Sequence, residues 1–316
     1  MDIFGDLVKT VQCNNRRVLA GLLAAWLCVA GSALAAGADG DSRGGEIAGA
    51  SKPQVVVTIR PLAMIVRELV GDRVAIHQLI DAGQDPHHSA LQPSRRLLLD
   101  QADMVIWVGP SLESFLARPL ANFVGERRVT WMTESAHHGH HHHQVAGEDP
   151  HPWLDPHKTL AFSRQLAAVL SARYPALAAD IQARLPVVEQ QLEQHIAELA
   201  ERMAPLKDRT FVAEHAAYGS FVAFAGLVEA GSLSDSSGVA QGARNLLALK
   251  QSDSVACVAV EQAPGSRLAI QLAAELGVPV VEIDPFGTLL PADARYGDLM
   301  NSVAAAFEQC LWDDET

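Results

Sequence analysis

The chain has 316 residues, of which 49% are hydrophobic and 19% charged, and its formal net charge is −13. That length carries one large domain or two of ordinary size, with enough apolar sequence for a sizeable core. The acidic balance excludes nucleic acid and anionic membrane as partners, since both would be repelled.

Near the N-terminus Arg16-Arg17 precede an apolar run over 18–34 that ends in Ala33-Leu34-Ala35. This is the layout of a cleaved secretory signal over 1–35; the alternative is an uncleaved anchor, because the run approaches the roughly 20 residues that a spanning helix needs. Cleavage removes three basic and two acidic residues and takes the charge from −13 to −14. Cys13 and Cys28 leave with the signal, whereas Cys257 and Cys310 stay. An even pair in an exported chain fits a disulfide, with two buried thiols as the alternative.

A Gly/Ala/Asp/Ser linker over 36–52 leads into a first α/β lobe over 53–156. Apolar runs at 55–59, 74–80, 104–108 and 129–132 predict strands, with helices at 62–70 and 94–102, the second capped by Ser94. The β-α-β order implies a mostly parallel sheet covered on both faces. Residues 157–206 read as one long connecting helix, with apolar spacing through Leu185, Val188, Leu192, Ile196 and Leu199. A second α/β lobe over 207–312 has strands at 210–214, 226–228, 255–260 and 280–283 and a helix at 267–276. No internal sequence repeat relates the lobes.

One segment is compositionally biased. Residues 134–148 hold His137, His138, His140, His141, His142 and His143 among Gly, Gln and acidic residues. Such a tract buries too little apolar surface to fold by itself, so it reads as a loop that binds metal weakly.

Three further histidines stand just past predicted strands or at element junctions, where open α/β sheets place ligand sites. His87 lies in Asp85-Pro86-His87-His88, His151 in Asp149-Pro150-His151-Pro152-Trp153-Leu154-Asp155-Pro156, and His215 directly after Phe211-Val212-Ala213-Glu214. Neutral imidazole suits zinc and its first-row neighbours. His88 is a substitute for His87, while His77, His157 and His195 read as structural or solvated.

The stretches 85–94, 149–156 and 215–219, with Asp284-Pro285-Phe286-Gly287, occur in the order and at the separations seen in the metal-binding group of periplasmic substrate-binding proteins of ABC transporters. Over about residues 52–312 the chain resembles the zinc-specific ZnuA type within that group. The resemblance implies two α/β lobes joined by one long rigid helix, with Zn2+ in the cleft between them. It places His87 and His151 as ligands from the first lobe and His215 as the third ligand from the second. Asp284 matches the carboxylate that completes the site in manganese-binding relatives, and water is its competitor here. Cys257 and Cys310 match a second-lobe disulfide.

The resemblance further implies a monomeric periplasmic protein, not an enzyme, that hands zinc to a membrane permease. The alternatives are a binder of manganese or nickel, a zinc buffer without a transporter, and a periplasmic zinc hydrolase. The last is disfavoured because no H-E-x-x-H or G-x-S-x-G arrangement is present.

Overall fold

β-Branched and aromatic residues form short inner strands that are largely buried on both faces, as parallel sheets require. In the first lobe β1 (Gln54–Val57), β2 (Ala75–Gln78), β3 (Met104–Trp107) and β4 (Arg128–Thr130) form a parallel sheet of order β2-β1-β3-β4. Around them run α1 (Arg60–Val70), α2 (Pro93–Asp100) and the short α3 (Ala117–Leu120). This is a computed structural model, and it describes residues 51–132, 149–263 and 265–312. The signal over 1–35, the linker up to residue 50 and the histidine tract of 134–148 lie outside those residues.

The second lobe holds β5 (Thr210–His215), β6 (Val228–Ser234), β7 (Val255–Val260) and β8 (Val280–Glu282), all parallel and in the order β6-β5-β7-β8. Its helices are α6 (Gly219–Ala225), α7 (Ala243–Leu249), α8 (Arg267–Leu276) and α9 (Tyr296–Leu311), numbered after α4 (Pro156–Arg173) and α5 (Ala178–Met203) of the connection. Both sheets therefore share one strand order although their sequences show no repeat.

The connection differs from the single helix expected over 157–206. Tyr174 leaves helical geometry (φ −124°, ψ 73°) ahead of Pro175, so the segment folds into α4 packed against α5. Asp155 caps α4, accepting the backbone N–H groups of His157 (2.8 Å) and Lys158 (3.3 Å). The bridging element is α5, whose 26 residues span about 39 Å and touch both α1 and α9. Its buried stripe contains Val188, Leu192 and Leu199, with Leu185 and Ile196 partly buried beside it.

Smaller departures have local causes. α2 starts one residue before Ser94, with Pro93 in its first turn and no side-chain cap. The expected strand at 226–228 begins instead at Val228, because Gly226 ends α6 in the left-handed region (φ 69°). His77 pairs with Gln54, and the remaining two histidines of the connection pack on second-lobe groups, His157 on Phe224 and His195 on Gly297. Among the described residues no helix is long and apolar enough to cross a membrane.

One apolar core runs from Val55 and Leu62 of the first lobe under α5 to Phe211 and Phe307 of the second. Polar contacts reinforce it. Arg60 donates to the carbonyls of Leu290 (2.8 Å) and Pro291, Trp153 Nε1 to that of Pro285 (2.7 Å), and the Tyr296 backbone N–H to Glu68 (3.0 Å). The Cys257–Cys310 disulfide joins β7 to α9, with 5.4 Å between the Cα atoms.

Glu113 is fully buried beneath the carboxyl ends of β1 and β3. It accepts the Thr58 hydroxyl (2.5 Å) and the backbone N–H groups of Gly109 (2.9 Å) and Val108 (3.3 Å). Burial pushes its carboxyl up to about 7 in spite of those bonds. Between its ordinary 4.5 and that value the folded chain holds a proton that the unfolded chain has lost, so stability falls as pH rises through the window.

Denaturant titrations at pH 5 and pH 8 are expected to show wild type losing on the order of 2–3 kcal/mol more than Glu113→Gln over that interval. In a second test, Cys257→Ala with Cys310→Ala should lower the free energy of unfolding by about 2–4 kcal/mol.

Candidate metal centre

All the chemistry gathers at the carboxyl ends of the two sheets. The loop after β2 carries His87, the segment ahead of α4 carries His151, and β5 ends on His215. Their ring centroids lie 5.1, 5.3 and 5.4 Å apart, close to an equilateral triangle. One ligand nitrogen from each ring falls within 4.8 Å of the other two. His87 Nε2 and His151 Nε2 are 3.3 Å apart. Two nitrogens bound tetrahedrally to one zinc at about 2.0–2.1 Å would be separated by roughly 3.3–3.4 Å, so the spacing fits that ion.

Outer carboxylates set the ring orientation. His151 Nδ1 faces Asp149 Oδ1 at 2.7 Å, and His215 Nδ1 faces Glu261 Oε1 at 2.9 Å. A proton held on each Nδ1 leaves the Nε2 lone pair free for a metal. His215 Nε2 is buried without a hydrogen-bond partner among the described residues. A buried nitrogen left unpaired costs free energy unless a ligand meets it. Backbone order contributes too, because Asp85 Oδ1 accepts the His87 N–H at 2.8 Å and shapes its loop.

Charge within the cluster is uneven. Burial first, and then the neighbouring His151 and His215, bring His87 down to about 3. Burial would also lower His215, but the hydrogen bond and charge of Glu261 outweigh it and raise the group above its ordinary 6.5. Burial would raise Asp149, yet the hydrogen bond and charge of His151, helped by Ser220, hold it below the usual carboxylate range.

Asp284, two residues past the end of β8, lines the same cleft. Its oxygens accept the Phe286 N–H (2.9 Å), the Thr288 hydroxyl (2.8 Å) and the Leu289 N–H (3.2 Å), and it stands outside the cluster of three histidines. His88 turns away to Asp85, Nδ1 to Oδ2 at 2.7 Å. Glu214 accepts the Ser266 N–H at 2.6 Å. A cavity of about 470 Å³ with His87 and His215 in its wall opens onto the cluster, leaving room for a fourth donor from the solvent side.

Sequence reasoning passed over Asp149 and Glu261. Asp149 stood in view two residues before His151. Glu261 is 46 residues from the ring it orients, and only the pairing of β5 with β7 brings them together.

The model of the family described as ZnuA, zinc-uptake complex component A, periplasmic, matches residues 55–310. The chain belongs to the ZnuA family. High-affinity zinc uptake system protein ZnuA of Haemophilus ducreyi is 25% identical over 287 residues, covering 81% of this chain and 93% of that one. The ZnuA protein of Paracoccus denitrificans is 28% identical over 306 residues, covering 84% and 94%. Among solved structures, a ZnuA deletion mutant with zinc bound superposes with a TM-score of 0.70 at 21% identity, covering 84% of this chain and 100% of that one, a likeness of fold. The two-lobed α/β architecture is thus that of the ZnuA family.

In metal-free protein, imidazole NMR titration should show His215 protonating above 6.5 while His87 stays neutral to about pH 3. Glu261→Gln should bring the His215 midpoint down.

Proposed function

We propose that this protein is the periplasmic solute-binding component of a zinc-uptake ABC transporter. It captures Zn2+ on His87, His151 and His215 and delivers it to the membrane permease. The observation that carries this reading is the convergence of three Nε2 atoms from two lobes, with one pair at 3.3 Å and a buried nitrogen lacking a protein partner. The high-affinity zinc uptake proteins among its relatives point the same way.

Three neutral imidazoles form a nitrogen donor set that favours zinc over the harder manganese ion, for which carboxylate and water are the better match. The fourth position falls to water, since the Asp284 oxygens are engaged by their own loop. This is a binding protein and not an enzyme. It stores an ion in a form that a partner can take over, and it acts as a monomer exported by the cleaved segment 1–35.

The histidines of 137–143 serve as a weak collecting tract ahead of the tight cleft site. At a reference pKa of about 6.5 they are largely neutral at pH 7 and ligate, and they let go below about pH 6.

Metal content and competitive zinc titration of the protein lacking residues 1–35 test the division of labour. Deleting 137–143 should lower zinc stoichiometry and leave one tight site. His87→Ala, His151→Ala and His215→Ala should each weaken that site by two orders of magnitude or more, about 3 kcal/mol. Loss of the tight site with the tract, together with wild-type affinity in all three alanine variants, would overturn the assignment.

A further inference from the structure

Asp149 uses its two carboxylate oxygens on two different lobes. Oδ1 meets His151 twice, at the ring Nδ1 (2.7 Å) and at the backbone N–H (3.2 Å). Oδ2 accepts the backbone N–H of Ser220 at 2.6 Å, in the first turn of α6 on the second lobe. The approach is close enough that a Cβ on Gly219 would lie 3.1 Å from Oδ2. His151 itself is fully buried, so its ring takes its orientation from these neighbours and from Trp153, 5.3 Å away.

We propose that Asp149 is a positioning residue that ties the ligand His151 to the second lobe, so that the hold on zinc depends on the contact between lobes. The inference rests on the three-histidine zinc site described above and adds how that site is coupled to the fold. A carboxylate has one torsion about its Cβ–Cγ bond. While Ser220 holds Oδ2, that torsion is set, and Oδ1 stays in line with the imidazole. A displacement of the second lobe by an ångström or two breaks the 2.6 Å bond. The carboxylate is then free to rotate, and the ring loses the partner that keeps its Nε2 aimed at the ion.

Linkage makes the effect reciprocal, because an ion that orders the His151 ring also strengthens the grip of Asp149 on Ser220. A partner that separates the lobes would by that movement loosen one of the three ligands without touching it.

The test uses the zinc-loaded protein lacking residues 1–35, with zinc release followed by chelator competition and Co2+ as a spectroscopic stand-in for zinc. Asp149→Asn is expected to weaken zinc binding about 10–100-fold, the usual cost of losing an outer partner of a metal-bound histidine, and to alter the visible bands of bound Co2+. Ser220→Pro removes the N–H donor, leaves the side chains around the ion in place, and falls in the first helical turn, where proline is tolerated. It should speed zinc release about tenfold, whereas Ser220→Ala, the control that keeps the N–H, should stay within about twofold of wild type. The Asp149→Asn/Ser220→Pro double variant should be no worse than Asp149→Asn alone, as expected for two changes to one contact.

Equal release rates for Ser220→Pro and Ser220→Ala, or losses that multiply in the double variant, would overturn the coupling. If Ser220→Pro does not fold, Gly219→Ala tests the same contact by crowding Oδ2, and release at the wild-type rate there overturns it as well. Failure of the underlying zinc reading would look different, since wild type itself would then hold no tight zinc.

Discussion

Three imidazole lone pairs aimed at one point repel one another, and no segment of this chain would hold its histidine in that position unaided. The arrangement persists because each ring is braced from behind. Asp149 braces His151, Glu261 braces His215, and the loop turned by Asp85 carries His87 into place. Each brace depends on a larger element. Glu261 directly follows β7, the strand paired with β5, and Asp149 spans to α6. The two lobes are in turn held face to face by the apolar core that continues beneath α5 and by the Trp153 bond to the Pro285 carbonyl. The carboxyl edges of both sheets meet at one cleft, which brings residues so far apart in sequence to one place.

The electrostatics follow from that geometry. A cluster that must stay neutral to bind metal keeps His87 uncharged by burial and by the company of two other rings. The same cluster lets one member, His215, gain proton affinity from Glu261. The carboxylate that fixes the tautomer thus also makes hydrogen ion a competitor for that ring, and a site built from braced imidazoles contains both effects at once.

Much of this was legible in the sequence because ligand residues in open α/β folds follow strands, and strands of β-branched residues are easy to see. His87, His151 and His215 stand out by their places at strand ends and element junctions, and the fold brings the three rings together, while β1, β3, β5 and β7 are plain as apolar runs. The misses have physical reasons. β6 reads Val-Glu-Ala-Gly-Ser-Leu-Ser, an edge strand whose small and polar residues leave no hydrophobic period to detect. The break between α4 and α5 was signalled by Pro175, but continuous helix-forming residues on both sides hid it. α9 went unread although its apolar face packs on β7 and α5, since a stripe in a C-terminal segment does not announce what it covers. The braces Asp149 and Glu261 were invisible as such, because an outer carboxylate is defined by a ring that only folding brings to it.

The disulfide between β7 and α9 bears on when the cleft comes into being. Cys257 lies three residues before the end of the strand whose next residue is Glu261, so the strand that braces His215 is also the one stapled to the last helix. A staple contributing about 2–4 kcal/mol biases folding by roughly thirty- to several-hundred-fold, and it forms only where thiols are oxidised. Where thiols stay reduced the chain lacks that bias and lies nearer to its unfolded form. Oxidation thus firms up the very strand that carries the brace of His215, and redox state and cleft geometry are joined through β7.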